Sequence, residues 1–225
     1  YLTLPSPPIR KEQSLHGIRL GILSDRDRAS VSSDILNLYD SALDILKDLG
    51  AELIIFEPPV SYSEMGKDSG LIFVTEGYTH NKSFVEDPST KMDEYVRMRF
   101  LENRDVRAYT YIQALLRRKD IITQFNRQMA ELSALILPTT TTASVPLNEV
   151  DENTSVGWFT RPFNFLAMCG LSLPMGLTDE GLPGSMQIAA RGGDEATAIF
   201  IAKLFESAIG QAMIPNLLRT GKPGI

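Results

Sequence analysis

One cysteine, Cys169, is all the 225-residue chain contains. A lone thiol excludes an internal disulfide and a cysteine-rich metal site, and it suits a reducing compartment, so a cytoplasmic protein is the expectation. Histidine is almost as scarce. His16 and His80 lie far apart, and neither has a Cys or His at ligand spacing, so no zinc site and no other metal or cofactor is expected. No uninterrupted apolar run approaches the roughly 18–20 residues of a membrane span. Positive charge is in deficit, with 22 Lys and Arg against 28 Asp and Glu. The resulting net charge of −6 argues against nonspecific binding to nucleic acid or to an anionic membrane, because those partners are anionic too. There is no internal repeat and no low-complexity tract. The first fourteen residues are Pro-rich and lack a basic region followed by an apolar one, so they do not read as a secretory leader. A chain that opens at Tyr1 inside such a segment reads as a piece of something longer.

What is present is ordinary globular material, 43% hydrophobic and 22% charged, enough for one large domain or two small ones around a sizeable core. Residues 16–23 read as a short strand with Ile18, Leu20 and Ile22 on one face. A helix follows, with Ser33 as its N-cap, Asp34 in its first turn and Gly50 just past its end. Its buried face is Ile35, Leu38, Tyr39, Ala42, Ile45, Leu46 and Leu49. Residues 51–56 form a second strand, stopped by Pro58 and Pro59. This βαβ-like order over residues 1–60 predicts an α/β fold, a mixed sheet flanked by helices.

Residues 61–132 read as a helical lobe. Its longest helix is expected from about 105 to 132, with an apolar stripe of Ile112, Leu115, Ile122, Phe125, Met129 and Leu132. Arg118 falls on that stripe, while Arg117 is turned roughly 100° away. Residues 133–225 carry an apolar strand (134–138) running into Thr139–Thr142, then a short helix capped by Thr160 with Pro162 in its first turn. Two strands (171–174 and 185–189) meet at a turn at 181–184, and a last helix spans 194–209, opened by acidic residues that suit the helix dipole.

Three stretches together resemble the amidase signature family. They are Leu135-Ile136-Leu137-Pro138-Thr139-Thr140; Thr160-Arg161-Pro162-Phe163-Asn164 with Gly170-Leu171-Ser172-Leu173-Pro174-Met175-Gly176; and Gly181-Leu182-Pro183-Gly184-Ser185-Met186-Gln187 followed by Glu195. The early Gly17-Ile18-Arg19-Leu20-Gly21-Ile22 fits as well. The resemblance implies the C-terminal part of an amide-bond hydrolase acting on a small amide. It implies that the family's catalytic Ser, its second Ser in a cis peptide, its Lys and its Gly/Ser-rich oxyanion loop precede Tyr1. None of them maps onto this chain. Gly192-Gly193 has no serine run beside it, and the eight lysines stand in none of the family's catalytic contexts. The expected partners are therefore a small-molecule amide, the missing N-terminal half and, through the cut sheet, further copies of the chain.

Five residues are the substrate-binding candidates. Arg118 on an apolar face needs a partner, since an unpaired buried charge is costly. It either clamps a substrate carboxylate or carbonyl, as a similar Arg does in the glutamine-using member of the tRNA amidotransferases, or pairs with an acid such as Glu76. Gly157 stands where those glutamine-using relatives carry an Asp for the glutamine amino group, which weighs against glutamine. Trp158 and Phe159 are an aromatic pocket wall or plain core. Thr160 is the family's polar residue and the simplest helix cap. Asn164 and Gln187 are expected to satisfy buried backbone groups between the two halves, Thr139–Thr142 to line the pocket mouth or to be an ordinary strand end, and Cys169 to be inert. Ser63 and Lys67 share a chance spacing. The alternatives to an amidase are a non-catalytic amidase-like scaffold and the glutamine-hydrolysing component of a glutamyl-tRNA amidotransferase.

Overall fold

The structure, a computed structural model, describes residues 13–151 and 157–210. The chain enters strand β1 (Arg19–Leu23), makes one turn of helix α1 (Asp25–Arg28) and runs through α2 (Ser33–Asp48) to β2 (Glu52–Phe56). β1 and β2 are parallel, as the βαβ reading requires. The N-cap of α2 is Ser32, one residue before the expected Ser33, and its hydroxyl makes no capping bond. At the other end the reading holds. Gly50 sits at φ +98°, and a Cβ there would strike the ring of His16, so glycine is required both by conformation and by the histidine packed on it.

Three helices follow: α3 (Tyr62–Glu86), α4 (Glu94–Glu102) and α5 (Ala108–Gln128). α3 kinks at Asn81. α4 is held to it by Arg97, a buried arginine that donates to the carbonyls of Val85 (2.6 Å), Asp87 (3.0 Å) and Thr90 (2.6 Å), and by Phe100, which packs over Gly77. α5 is shorter than expected, and its buried face is Ala114, Ile121 and Phe125. Ile112, placed on the stripe from sequence, is 52% exposed. The first half of α5 meets α3 through polar pairs, Arg117 with Asp68 at 3.1 Å and Tyr111 with Glu76 at 2.7 Å, while Tyr109, Ile112 and Leu116 turn away.

The remaining elements are β3 (Ala134–Pro138), α6 (Arg161–Phe165), β4 (Cys169–Leu177), β5 (Pro183–Ala190) and α7 (Glu195–Ile209). They complete a five-stranded mixed sheet in the order β2-β1-β3-β5-β4. β1 and β3 are parallel, whereas β5 runs antiparallel to both β3 and β4. The pleat divides the sheet into two faces. Leu20, Ile136, Met186, Ile188 and Leu173 pack under α2 and α7, with the Tyr39 hydroxyl donating to the Ile136 carbonyl at 2.7 Å. On the other face, Phe56 meets Phe125 of α5 edge-on with centroids 5.2 Å apart, and Gln187 of β5 reaches the Phe159 carbonyl ahead of α6. Burying each large side chain of this core contributes about 1.5–3 kcal/mol. No helix among the described residues is long and apolar enough to cross a membrane.

Candidate functional site

The candidate residues cluster around α6, in the turn ahead of it and against its last residue. Residues 157–160 form a turn in which the amides of Thr160 and Arg161 both donate to the Gly157 carbonyl, at 3.3 and 3.0 Å. The turn puts consecutive side chains to opposite uses. Phe159 is fully buried, edge-on to Tyr62 with centroids 5.5 Å apart, so it is core. Trp158 stays 37% exposed at the tip. The Thr160 hydroxyl does not cap α6, contrary to the expectation. Its residue is in helical conformation, and its carbonyl instead accepts from the amides of Phe163 and Asn164.

Two long polar side chains hold this segment from below. Gln187, buried on β5, donates through Nε2 to the Phe159 carbonyl at 3.0 Å, so it serves a buried backbone group within this chain. Arg118 donates through Nε to the carbonyl of Phe165, the last residue of α6, at 2.5 Å, and its guanidinium lies 5.9 Å from the Phe165 ring. It does not pair with Glu76, which accepts from the Tyr111 hydroxyl. Among the described residues Arg118 has no carboxylate partner, and its terminal N–H groups are uncommitted. Asn164 is exposed, and its side chain bonds no described residue.

Beside this segment the sheet face is open. Thr139, at the end of β3, and Ser172, on β4, share a hydrogen bond of 2.7 Å that passes over β5. Sequence spacing gave no hint of this pair, because two strands separated by a third become neighbours only through the strand order. Ala167, which closes α6 at φ +55°, was equally hidden.

Nucleophilic chemistry needs a hydroxyl or thiol beside a base, with donors aimed at the developing oxyanion. The serine and threonine hydroxyls that meet a carboxylate do so in local turns or helix starts: Ser24 with Asp27, Ser61 with Glu64, Ser89 with Asp87 and Thr197 with Asp194. No lysine ammonium group hydrogen-bonds a hydroxyl among the described residues. Burial pushes the Cys169 thiol above its usual range, away from the reactive thiolate. No described group of three His, Cys, Asp or Glu residues is placed to hold a metal ion. The arrangement can position a ligand but contains no assembled nucleophile.

Comparison with known proteins places this geometry. The amidase family model matches residues 4–199. Among curated relatives, the A component of the glutamyl-tRNA(Gln) amidotransferase from Rickettsia bellii is 24% identical over 87% of this chain and 46% of its own length. Among solved structures, 6-aminohexanoate cyclic dimer hydrolase superposes with a TM-score of 0.76 at 22% identity, covering 96% of this chain and 50% of that one. Kluyveromyces lactis allophanate hydrolase superposes at 0.77 and 20% identity, covering 89% and 33%. The chain thus spans about half the length of the curated relatives it matches. With its mixed sheet, its α6 turn and a family match over most of its length, the chain belongs to the amidase signature family.

Proposed function

We propose that this chain forms the substrate pocket of an amide-bond hydrolase whose Ser-Ser-Lys machinery lies in polypeptide beyond it. The observation that carries this reading is Arg118. Its Nε is spent on bracing α6, while its terminal N–H groups have no carboxylate among the described residues. A guanidinium so placed suits a carbonyl or carboxylate of a bound amide. Trp158 at the turn tip adds an aromatic wall, and Gly157 leaves no acid there for an amino group. The favoured substrate class is a small or aryl amide. Positioning by such a wall feeds the proximity effect, which reaches about 7–11 kcal/mol across a complete site.

The test is turnover of a panel of small amides by the full reading frame. Arg118→Ala should raise KM more than it lowers kcat, with Arg118→Lys restoring part of the loss. A folded full-length protein with no turnover on the panel sinks the reading. So does an Arg118→Ala variant whose only defect is a lower unfolding midpoint.

A second reading, the glutamine-hydrolysing component of a glutamyl-tRNA amidotransferase, is favoured by the names of the curated relatives. Gly157 opposes it. Glutamine hydrolysis by the full protein, with copurifying partner proteins, would decide for it.

A further inference from the structure

We infer that residues 211–225, the segment that follows α7, dock in a cleft at the end of the sheet between the start of α2, the loop after β3 and the β4–β5 hairpin, with Arg219 and Lys222 set against Asp34, Asp179 and Glu180. Such docking does not depend on the chain's part in amide hydrolysis.

The cleft holds about 350 Å³ and is lined by Asp34 of α2, Thr142 and Val145 of the loop after β3, and Asp179, Glu180 and Leu182 of the hairpin, among others. Its walls are tied together. The Ser32 amide donates to the Thr141 carbonyl at 2.8 Å, which joins the loop to the start of α2. Thr178 closes the hairpin, its amide donating to the Leu182 carbonyl at 2.8 Å and its hydroxyl accepting from the Leu182 amide at 3.2 Å. That leaves the carboxylates of Asp179 and Glu180 free at the tip. Every charged residue lining the cleft is an acid, and none of the three forms an ion pair among the described residues. Asp34 offsets the positive end of the α2 dipole, so the cleft favours a cation. Apolar surface stands beside the acids, with Val145 51% and Leu147 94% exposed.

Helix α7 delivers the chain to this place. Residues 191–194 alone join it to β5, and it packs on both β4 and β5, so it runs back along the strand it has just left. Its 15 residues rise about 22 Å, close to the roughly 26 Å of the 8-residue β5, so Gly210 returns to the level of Pro183 and the hairpin. The first turns of α2 lie at the same end, since a Cβ added at Gly184 would strike Leu38 and Ile35. At φ +71° Gly210 turns the chain off the helical path, in a conformation that glycine adopts readily.

The sequence beyond Gly210 complements the cleft. Residues 211–225 contain Arg219 and Lys222 and no acidic side chain, with Leu217 and Leu218 directly ahead of the arginine. These apolar residues can meet Val145 and Leu182 while the cations meet the acids. Arg219 lies nine residues past Gly210, a reach of about 30 Å when extended and several times the strand spacing of about 4.8 Å. A second copy of the chain, with its net charge of −6, is a poorer match for an acidic cleft than this basic segment, which is already tethered beside it.

Photo-crosslinking in the full reading frame tests the docking. With p-benzoylphenylalanine replacing Leu218, irradiation should join the segment to residues 142–145 and 178–182, as located by fragment mass spectrometry. Arg219→Glu with Lys222→Glu should cut that yield about tenfold, the combined worth of two partly shielded ion pairs, and adding Asp179→Lys with Glu180→Lys should restore it. Amide hydrogen exchange needs no crosslinker. Residues 143–145 and 178–182 should exchange about tenfold faster in the Arg219→Glu, Lys222→Glu protein than in the unmodified one. Raising the salt to about 1 M, where the screening length is about 3 Å, should have the same effect on the unmodified protein and decides the matter if a variant fails to fold. Crosslinks to other surfaces overturn the inference, as does a yield indifferent to charge reversal. Mixing isotopically light and heavy protein identifies crosslinks between copies, which would assign the cleft to a second molecule and overturn it too. Exchange at both loops that is unchanged by charge reversal and by salt does the same.

Discussion

Replacing Ala167 with glycine should make the protein more stable, although it removes a methyl group. Helix α6 ends in a reversal in which the amide of Ala167 donates to the Asn164 carbonyl at 3.1 Å and that of Met168 to the Phe163 carbonyl at 3.0 Å. These two bonds define a Schellman termination, whose turning residue takes a left-handed conformation and is usually glycine. Here it is alanine at φ +55°, the one non-glycine residue with positive φ among those described. An L-residue in that region costs about 1–2 kcal/mol, because Cβ crowds the following carbonyl. Glycine removes that strain but loses about 0.5–1 kcal/mol more backbone entropy on folding. Ala167 is exposed, so its methyl contributes little burial. The balance is a gain of about 0.5–1 kcal/mol, or a rise in Tm of about 1–4 °C for a chain of this size. Urea unfolding should show a higher midpoint with an unchanged m-value. The same exchange at Ala208, exposed within α7, should lower the midpoint, since the backbone there is right-handed. The strain has nowhere to relax. A Cβ added at Gly192 would stand 2.3 Å from the Ala167 carbonyl oxygen, so Gly192→Ala should cost about 1–3 kcal/mol. If Ala167→Gly leaves the midpoint unchanged or lowers it, the assignment of strain to this turn is wrong.

Arg97→Ala should lower stability by about 2–4 kcal/mol in urea melts, because the buried carbonyls at the end of α3 lose a charged donor, and Arg97→Lys should recover only part since an ammonium lacks the planar fork. Gln187→Leu should cost about 1–3 kcal/mol by stranding the Phe159 carbonyl, read from the unfolding midpoint. Burial pushes the phenols of Tyr39 and Tyr62 well above the usual tyrosine range. The native state thus holds those protons more tightly than the unfolded chain. Their contribution is intact below about pH 10 and falls above it, by about 1.4 kcal/mol per pH unit for each group. Tyr62→Phe should make the alkaline side of the stability profile measurably shallower, and an identical slope in the variant would refute the linkage.

Elements with a clean period and a punctuating residue were legible from sequence. The periodic face of α2 with Gly50 behind it, the βαβ order and the apolar β3 are all present, and β5 follows the expected turn but starts early, at Pro183. The register of α5 was misjudged because its first half packs by polar pairs, and hydrophobic spacing is silent about such contacts. α4 gave no periodic signal, since the residue it buries is Arg97. In the site, the segment was found and the division of labour within it was not. Whether Phe159 or Trp158 turns inward depends on Tyr62, almost a hundred residues away, and Thr160 sits in a helical conformation that removes its hydroxyl from the capping position.

The sheet also has a long excursion in its wiring. Between leaving β2 and entering β3 the chain builds all of α3, α4 and α5, yet β3 returns to lie directly beside β1. Closing a loop costs entropy only logarithmically, so doubling the length of such an insertion costs about 0.6 kcal/mol. These helices can therefore be lengthened, trimmed or exchanged over evolutionary time with little effect on strand registry. A lineage in this family would be free to remodel this helical layer by insertion while keeping the same β-scaffold underneath.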